Sequence, residues 1–438
     1  MPERDAAGRR KLTLSRSFAS AVVCCAVALG WDLSAIESTA LPLPYPASYP
    51  SENYSPPQIK LNGLIGGGIA DANAPSDAAP APKGIAFGKF SMHPNVSFEA
   101  TETDNARRAR LHPKDDELLE YAAGLKTEFK PLQCVRATLN YEFGWHDYLK
   151  DTARDYLSHN AETEIRIDRV GVQGLSLVFS DAYLQTGSIN PLENEVVQFS
   201  RYHANRALAG VEYKYNRFKI SGTYTETFTH YFARTDAVSD FITHAGGLEG
   251  SWQWLPGRLE IFENFQLQRT LFDKIPNNDY DSTSALTGVR GKYSKLTYSV
   301  AIGYSRVDPL HGSTSHSGVG FNAFINYAPH RRLAVDVTAS RSFQAGVLTG
   351  SSMETNLNAM LTLLLTRRGN LQTSYTRNFS DRLNNTQQLS VAYGTRFEYK
   401  LARNATLNTG FLRIERTGKP ATVDYIINEV RGGFKLTW

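Results

Sequence analysis

Lys295-Leu296-Thr297-Tyr298-Ser299-Val300-Ala301-Ile302-Gly303-Tyr304-Ser305 alternates without a slip. Leu296, Tyr298, Val300, Ile302 and Tyr304 form an apolar set, and the residues between them are small or polar. That period of two marks a strand whose two faces meet different surroundings. The same texture recurs in 318–327, where Val319, Phe321, Ala323, Ile325 and Tyr327 alternate mostly with Gly and Asn. In 389–401, Leu389, Val391, Tyr393, Phe397, Tyr399 and Leu401 share a face interrupted only by Thr395, while Ser390, Ala392, Gly394, Arg396, Glu398 and Lys400 make the other. A soluble sandwich also alternates, but its inward face must be bulky enough to fill a core. Here the second face carries Gly, Ser, Thr, Asn and charges of both signs, as a water-filled interior tolerates, and the first is uniformly apolar, as lipid requires.

Counting such segments outward from these three gives about 18 strands by the template of a transmembrane barrel. They centre near residues 95, 123, 140, 165, 179, 209, 224, 248, 265, 288, 300, 322, 337, 360, 375, 395, 410 and 432. The connections supply an internal check. Short ones (Lys130–Gln133, Val170–Gly174, Tyr215–Arg217, Leu255–Gly257, Tyr293–Lys295, Ala328–Arg331, Thr366–Gly369, Leu401–Asn404) interleave with longer polar ones at 102–116, 146–159, 186–200, 232–241, 272–281, 307–316, 346–352, 382–387 and 417–424. Outer-membrane barrels have short periplasmic turns and longer external loops, so this rhythm orients the chain, and an even strand count brings both of its ends to the periplasmic side. The expected fold is therefore all-β: a transmembrane antiparallel up-and-down β-barrel over residues 87–438, in the bacterial outer membrane.

Composition agrees. Mean hydropathy is −0.35, and beyond the first residues no run of about 20 apolar residues offers a spanning helix. A formal charge of +4 arises from scattered residues, with no basic block that would suggest nucleic acid. At the start, Arg9, Arg10, Lys11 and Arg16 precede an apolar stretch, Phe18 to Leu29, too short to span, followed by small residues. This reads as a signal peptide over 1–35. Cys24 and Cys25 lie inside it, so Cys134 is the remaining thiol and no internal disulfide is expected. Residues 36–86, rich in Pro, Ala, Ser and Gly apart from the apolar island Leu64 to Ile69, read as a flexible periplasmic segment.

No GxSxG, HExxH or CxxC pattern occurs, and the histidines fall mostly in or beside expected connections. A non-enzymatic protein without cofactor or metal is expected. The loop carrying His311, Ser313, Ser315 and His316, and the acidic Asn277-Asn278-Asp279-Tyr280-Asp281, read as solvated external loops. The more promising surface is the inner face. By strand parity it carries Arg136, Glu142, Glu164, Arg166, Arg206, Glu212, Arg290, Lys292, Asp336, Arg396, Glu398, Glu429 and Arg431 as lumen-lining residues. Cross-strand pairing that stiffens the wall accounts for most such charges, and a constriction setting selectivity could use the rest. Three charges fall on the lipid face, Glu263, Arg269 and Arg377, which places them at the rim or implies a register slip at a bulge.

Ser91-Met92-His93-Pro94-Asn95-Val96-Ser97-Phe98, followed by Thr101-Glu102-Thr103-Asp104-Asn105, resembles the opening strand and Asp-Asn loop of the Putative beta-barrel porin 2 family. Asp115-Asp116, Leu139-Asn140-Tyr141-Glu142-Phe143 and Trp145-His146-Asp147-Tyr148-Leu149 fit the same family, and the resemblance extends over about 88–438. It implies an outer-membrane barrel associated with exopolysaccharide or capsule export. The expected partners are outer-membrane lipid, the barrel-assembly machinery and, because the chain has no helical-repeat scaffold, a separate periplasmic export partner. A general porin for small solutes, or a closed structural or adhesive barrel, are the alternatives. The last strand ends Phe434-Lys435-Leu436-Thr437-Trp438, with Phe434, Leu436 and Trp438 on one face. This resembles the C-terminal signal read by the assembly machinery. Deleting Trp438 is expected to lower the amount of folded barrel recovered in the outer membrane, and unchanged recovery would count against that role.

Overall fold

The computed structural model describes residues 84–438, apart from 107–112, 171–173, 192–196, 233–239, 274–278, 312–314, 347–349, 383–386 and 420–423. The expected leader, residues 36–83 with the Leu64 to Ile69 island, Cys24, Cys25, Asn277, Asn278 and Ser313 lie outside the described residues. A short strand, β1 (Ile85–Phe87), turns back on the start of β2 (Phe90–Thr103). The wall continues through β3 (Asp116–Leu132), β4 (Val135–Tyr148), β5 (Tyr156–Asp168), β6 (Leu175–Pro191), β7 (Val197–Tyr215) and β8 (Phe218–Tyr231). Next come β9 (Phe241–Leu255), β10 (Leu259–Phe272), β11 (Tyr280–Tyr293), β12 (Leu296–Pro309), β13 (His316–His330) and β14 (Leu333–Gly346). It ends with β15 (Gly350–Leu364), β16 (Gly369–Arg382), β17 (Gln387–Lys400), β18 (Ala405–Lys419) and β19 (Tyr425–Thr437). From β2 onward each strand pairs antiparallel with the next, and β19 returns to β2, from Thr437 opposite Asn95 up to Glu429 opposite Thr103. The result is a closed barrel of 18 strands, β2 to β19.

Every strand centre expected from the sequence falls inside one of these strands. The external connections are shorter than expected. The 186–200 segment is mostly strand, since β6 runs to Pro191 and β7 starts at Val197, and 146–159 shrinks to 149–155. A strand of 14 residues, rising about 3.3 Å per residue and tilted about 40°, is about 35 Å tall, whereas the apolar band is about 25 Å. The strands overshoot the membrane. Outside it they no longer need an apolar face, so period-2 patterning ends before the ladder does.

Turn and bulge chemistry is local. Asn216 and Ser294 adopt φ of 51° and 52° in the two-residue turns after β7 and β11, the left-handed conformation such tight hairpins demand. The ladder slips between Phe129 and Leu132 of β3 and between Tyr327 and His330 of β13. Each gap contains a proline, Pro131 or Pro329, which has no N–H to give. In both places a lysine ammonium meets the proline carbonyl: Lys89 Nζ donates to Pro131 O at 2.6 Å, and Lys295 Nζ donates to Pro329 O.

Closure between β19 and β2 is fastened at both ends. On the periplasmic side Trp438 N donates to Pro94 O at 3.0 Å. On the external side Asp104 accepts from Asn428 N at 2.8 Å and from Asn428 Nδ2 at 2.6 Å, and Asn105 Nδ2 donates to Ile426 O at 3.0 Å. The adjoining loops are tied in. Arg154 Nη1 donates to Ala106 O at 2.9 Å and lies over the Tyr148 ring, while Asp116 Oδ1 accepts from Glu117 N and Lys150 N. A hydrogen bond from the Lys150 ammonium holds the Asp115 carboxyl below its ordinary pKa. Asp104→Ala removes two charge-assisted bonds across the closing seam and is expected to cost about 1–3 kcal/mol. The folded, fast-migrating band on an unboiled gel should then convert to the unfolded band at lower temperature. Glu102→Ala, on the exposed outer face, should leave that temperature unchanged.

Candidate functional site: the inner wall

The two faces of the wall are told apart by burial. Tyr298, Val300, Ile302 and Tyr304 of β12 stand on the open side, and Thr297, Ala301, Ser305 and Val307 are buried on the other. The open side is lipid-facing, and near the periplasmic turns it carries Tyr215, Phe218, Trp252, Trp254 and Tyr293, an aromatic girdle with Trp252 and Trp254 stacked at 5.8 Å. The opposite side is the lumen wall. Strand register places all of the expected lumen-lining residues there: Arg136, Glu142, Glu164, Arg166, Arg206, Glu212, Arg290, Lys292, Asp336, Arg396, Glu398, Glu429 and Arg431.

They are grouped rather than scattered. Arg290, 5% exposed, donates to Glu249 at 2.8 Å and to Glu260 at 2.6 Å, and Glu249 is itself only 3% exposed. The guanidinium also rests on the Phe262 ring at 4.8 Å. Beside it Lys219 pairs with Glu212 at 2.9 Å, and these two with Lys214, Gln253, Glu260 and Arg290 line a recess of about 220 Å³ near the periplasmic end. On the seam side Arg431 pairs with Glu429 and approaches Glu99 at 3.9 Å, and Arg396 pairs with Glu398 at 3.0 Å. Arg166 meets Asp168 at 3.0 Å, and Asp336 accepts from Asn326. Glu142 and Lys292 are open to the lumen, and Arg206 is buried in the wall. Phe434 and Leu436 face lipid, with the Phe434 ring 6.0 Å from that of Phe98, and Trp438 follows the last strand, partly exposed.

The lipid-face charges are not produced by a slip. The β9–β10 ladder slips between Leu259 and Glu260 but is regular from Glu260 onward, with Glu263 opposite Gly250 and Thr287, and the ladders through Arg377 are unbroken, with Arg377 opposite Leu357 and Val391. Neither stands at a strand end: Glu263 lies inside β10 and Arg377 inside β16, opposite Leu357 at the middle of β15, so rim placement does not account for them. Arg269 sits one residue below the last pair of β10 and β11 and is held bidentate by Asp281, both contacts 2.7 Å.

Two features of the inner wall are not visible in strand parity. At the external end Tyr231, Phe241, Phe272, Tyr280 and Val307 form a buried apolar cluster spanning β8 to β12, joined by Tyr202 and Phe343. Leu412, Ile414, Tyr425 and Ile427 form a second on β18 and β19. Tyr280 and Val307 lie within segments that read as loops, and Tyr231, Phe241 and Phe272 at their edges, so their parity carried no weight. Glu99, Glu120, Lys219 and Glu260 also face the lumen, and extending the alternation of β2, β3, β8 and β10 by one or two residues would have found them.

The family model described as Putative beta-barrel porin 2 matches residues 78–437. No curated protein matches the chain. Among solved structures, the FrpB iron transporter of Neisseria meningitidis (F3-3 variant) aligns with 9% identity and a TM-score of 0.45, over 74% of this chain and 62% of that one. The chain thus spans less than two thirds of FrpB. OpdK of Pseudomonas aeruginosa, solved with vanillate, aligns at 8% identity and TM-score 0.44, covering 79% and 99%. OpdQ of the same organism aligns at 11% and 0.45, covering 80% and 100%.

Removing one partner of a buried ion pair strands the other, at about 3–5 kcal/mol. Arg290→Met is therefore expected to lower the urea midpoint of the detergent-solubilised barrel, followed by tryptophan fluorescence. The triple replacement Glu249→Gln, Glu260→Gln, Arg290→Met should recover most of that loss.

Proposed function

Because the chain belongs to the Putative beta-barrel porin 2 family and forms an 18-strand barrel of the outer membrane, we propose that its lumen is an aqueous conduit and that its cargo is an exported polysaccharide. A barrel of 16 to 18 strands leaves an interior wide enough for water and an extended solute. The observation that carries the reading is the chemistry of the inner wall. Thr223 and Thr227 of β8 and Asn322, Asn356 and Asn358 of β13 and β15 reach the lumen on this face, while Ser221, Thr225, Thr229 and Asn326 beside them are buried in the wall. Hydroxyls and amides exchange hydrogen bonds with sugar hydroxyls without preferring one sign of charge. The charges that are present are largely neutralised by neighbours, which suits a cargo moved by diffusion or by pushing from below rather than selected as an ion. A polymer that crosses the periplasm needs guidance this barrel does not supply, so a separate periplasmic or inner-membrane partner belongs to the proposal, as does delivery by the barrel-assembly machinery. The barrel itself performs no reaction in this role.

In planar bilayers the purified protein is expected to give stepwise conductance, with or without residues 36–86; absence of any channel in the truncated form would rule out a conduit. A deletion strain should lose surface polysaccharide while keeping small-solute uptake. Loss of uptake with the polysaccharide intact would replace the export reading by a general porin.

A further inference from the structure

One group of side chains on the lumen wall is arranged for chemistry that transport does not require. Glu99, Glu120, His146 and Tyr156 stand opposite one another across β2, β3, β4 and β5. In the next row toward the periplasm stand Ser97, Ala122, Gly144 and Ser158. His146 links the rows. Its Nε2 lies 2.9 Å from Ser158 Oγ, and its Nδ1 lies 2.8 Å from Glu120 Oε1. The carboxylate stands off the Nδ1–H axis, so this second contact is a close ion-pair approach rather than an aligned hydrogen bond. The imidazole is stacked on the Tyr156 ring, centroids 4.2 Å apart and planes 7° apart, which favours the orientation that faces Ser158. A hydroxyl, an imidazole and a carboxylate in this order form the relay by which a serine is made nucleophilic.

Gly144 is the second, independent observation. A β-carbon there would overlap Ser158 Oγ and crowd His146 Nε2. Only glycine at this position lets the serine hydroxyl lie against the imidazole. The row around Ser158 contains nothing larger than serine on β2 to β5, and Ser158 itself is half-buried. His146 is 14% exposed and Glu120 32%, enclosed enough to be held and open enough to be reached.

We propose that Ser158, His146 and Glu120 form an ester-hydrolysing site on the lumen wall, acting on carboxylic esters of hydrophilic alcohols, the class that includes O-acylated sugars. Ser158 Oγ attacks the ester carbonyl carbon while His146 Nε2 takes its proton. The ester C–O bond breaks, and the alcohol leaves carrying the proton back from His146. Water then attacks the acyl-serine, its proton passing through His146 to Ser158, and the carboxylic acid is released. The sum is ester plus water to acid plus alcohol, with no further reactant. Glu120 touches no substrate atom; it is a positioning residue that fixes the tautomer with the proton on Nδ1. In a strand the backbone N–H groups are committed to the ladder, so the developing oxyanion must be met by a side chain. Asn160, two residues along β5 on the same face, holds the register position for it.

The test uses the folded full-length barrel in detergent micelles, a fluorophosphonate probe and p-nitrophenyl acetate. The wild type is expected to be labelled at one serine, located at Ser158 by peptide mass. Ser158→Ala and His146→Ala should lower hydrolysis by about 10²–10⁴-fold, with their folded gel mobility intact. Glu120→Gln should lower kcat and leave KM unchanged. Gly144→Ala, which keeps every reacting group but displaces the hydroxyl, should lose labelling while remaining a folded, conducting channel. Ser180→Ala, another inner-face serine, should behave as wild type. Absence of labelling in a wild type that conducts, or labelling that survives Ser158→Ala, would overturn the proposal. Neither result bears on whether the lumen carries polysaccharide, which the deletion strain decides separately.

Discussion

A backbone crossing hydrocarbon has no water to bond, and each unmet N–H or C=O costs several kcal/mol, so a sheet that spans a membrane must close. The pairing of β19 with β2 is the contact that satisfies this requirement, and everything else in the wall follows from it. Once closed, the ladder bonds the backbone internally and leaves side chains to answer only to their surroundings. Lipid asks the outer face to be apolar; water lets the inner face be almost anything. The ladder slips in three described places near the periplasmic turns, and two of them fall at a proline with a lysine on the freed carbonyl. The seam is reinforced where it would fray, by Asp104 and Asn105 at one end and by the Trp438 amide at the other.

Electrostatics on the inner wall follows from the same geometry. Neighbouring strands bring inward side chains about 5 Å apart, so a charge can find its opposite one strand away. Arg290 between Glu249 and Glu260 is the most buried such group, and breaking it costs more than a surface pair would because the partners left behind are desolvated. The lipid-facing charges obey the complementary rule. Arg269 is tied to Asp281 and Arg306 to Asp308 at the external rim, whereas Glu263 and Arg377 lie inside their strands and are not explained by it.

How much of this was legible depends on sequence distance. The faces of β12, β13 and β17 could be read directly, because period-2 alternation lies within ten or so residues. The short-long rhythm of connections then oriented the rest. Cross-strand neighbours are another matter: Glu120, His146 and Ser158 meet only once the register of β3 to β5 is known. His146 and Ser158 also lay in what read as the 146–159 loop, since strands leaving the membrane lose their apolar face but keep their pairing. The external aromatic cluster was hidden for the same reason. Asp104 and Asn105 were singled out by a family resemblance, whereas their physical task, bridging to Ile426 and Asn428, spans more than three hundred residues of chain and leaves no local trace.

The picture that joins these pieces is a closed barrel with a wet, hydroxyl-lined interior and a lipid-matched exterior. Thiol accessibility tests it most directly. Single cysteines would be placed at Asn322, Thr338 and Asn358 on the inner face and at Val319, Ile325 and Leu361 on the outer, with Cys134, Cys24 and Cys25 replaced. Intact cells would then be treated with a charged, membrane-impermeant maleimide. The closed, water-filled barrel requires the inner set to react and the outer set to stay silent until the membrane is dissolved. Equal reactivity of the two sets, or the reverse order, would contradict it.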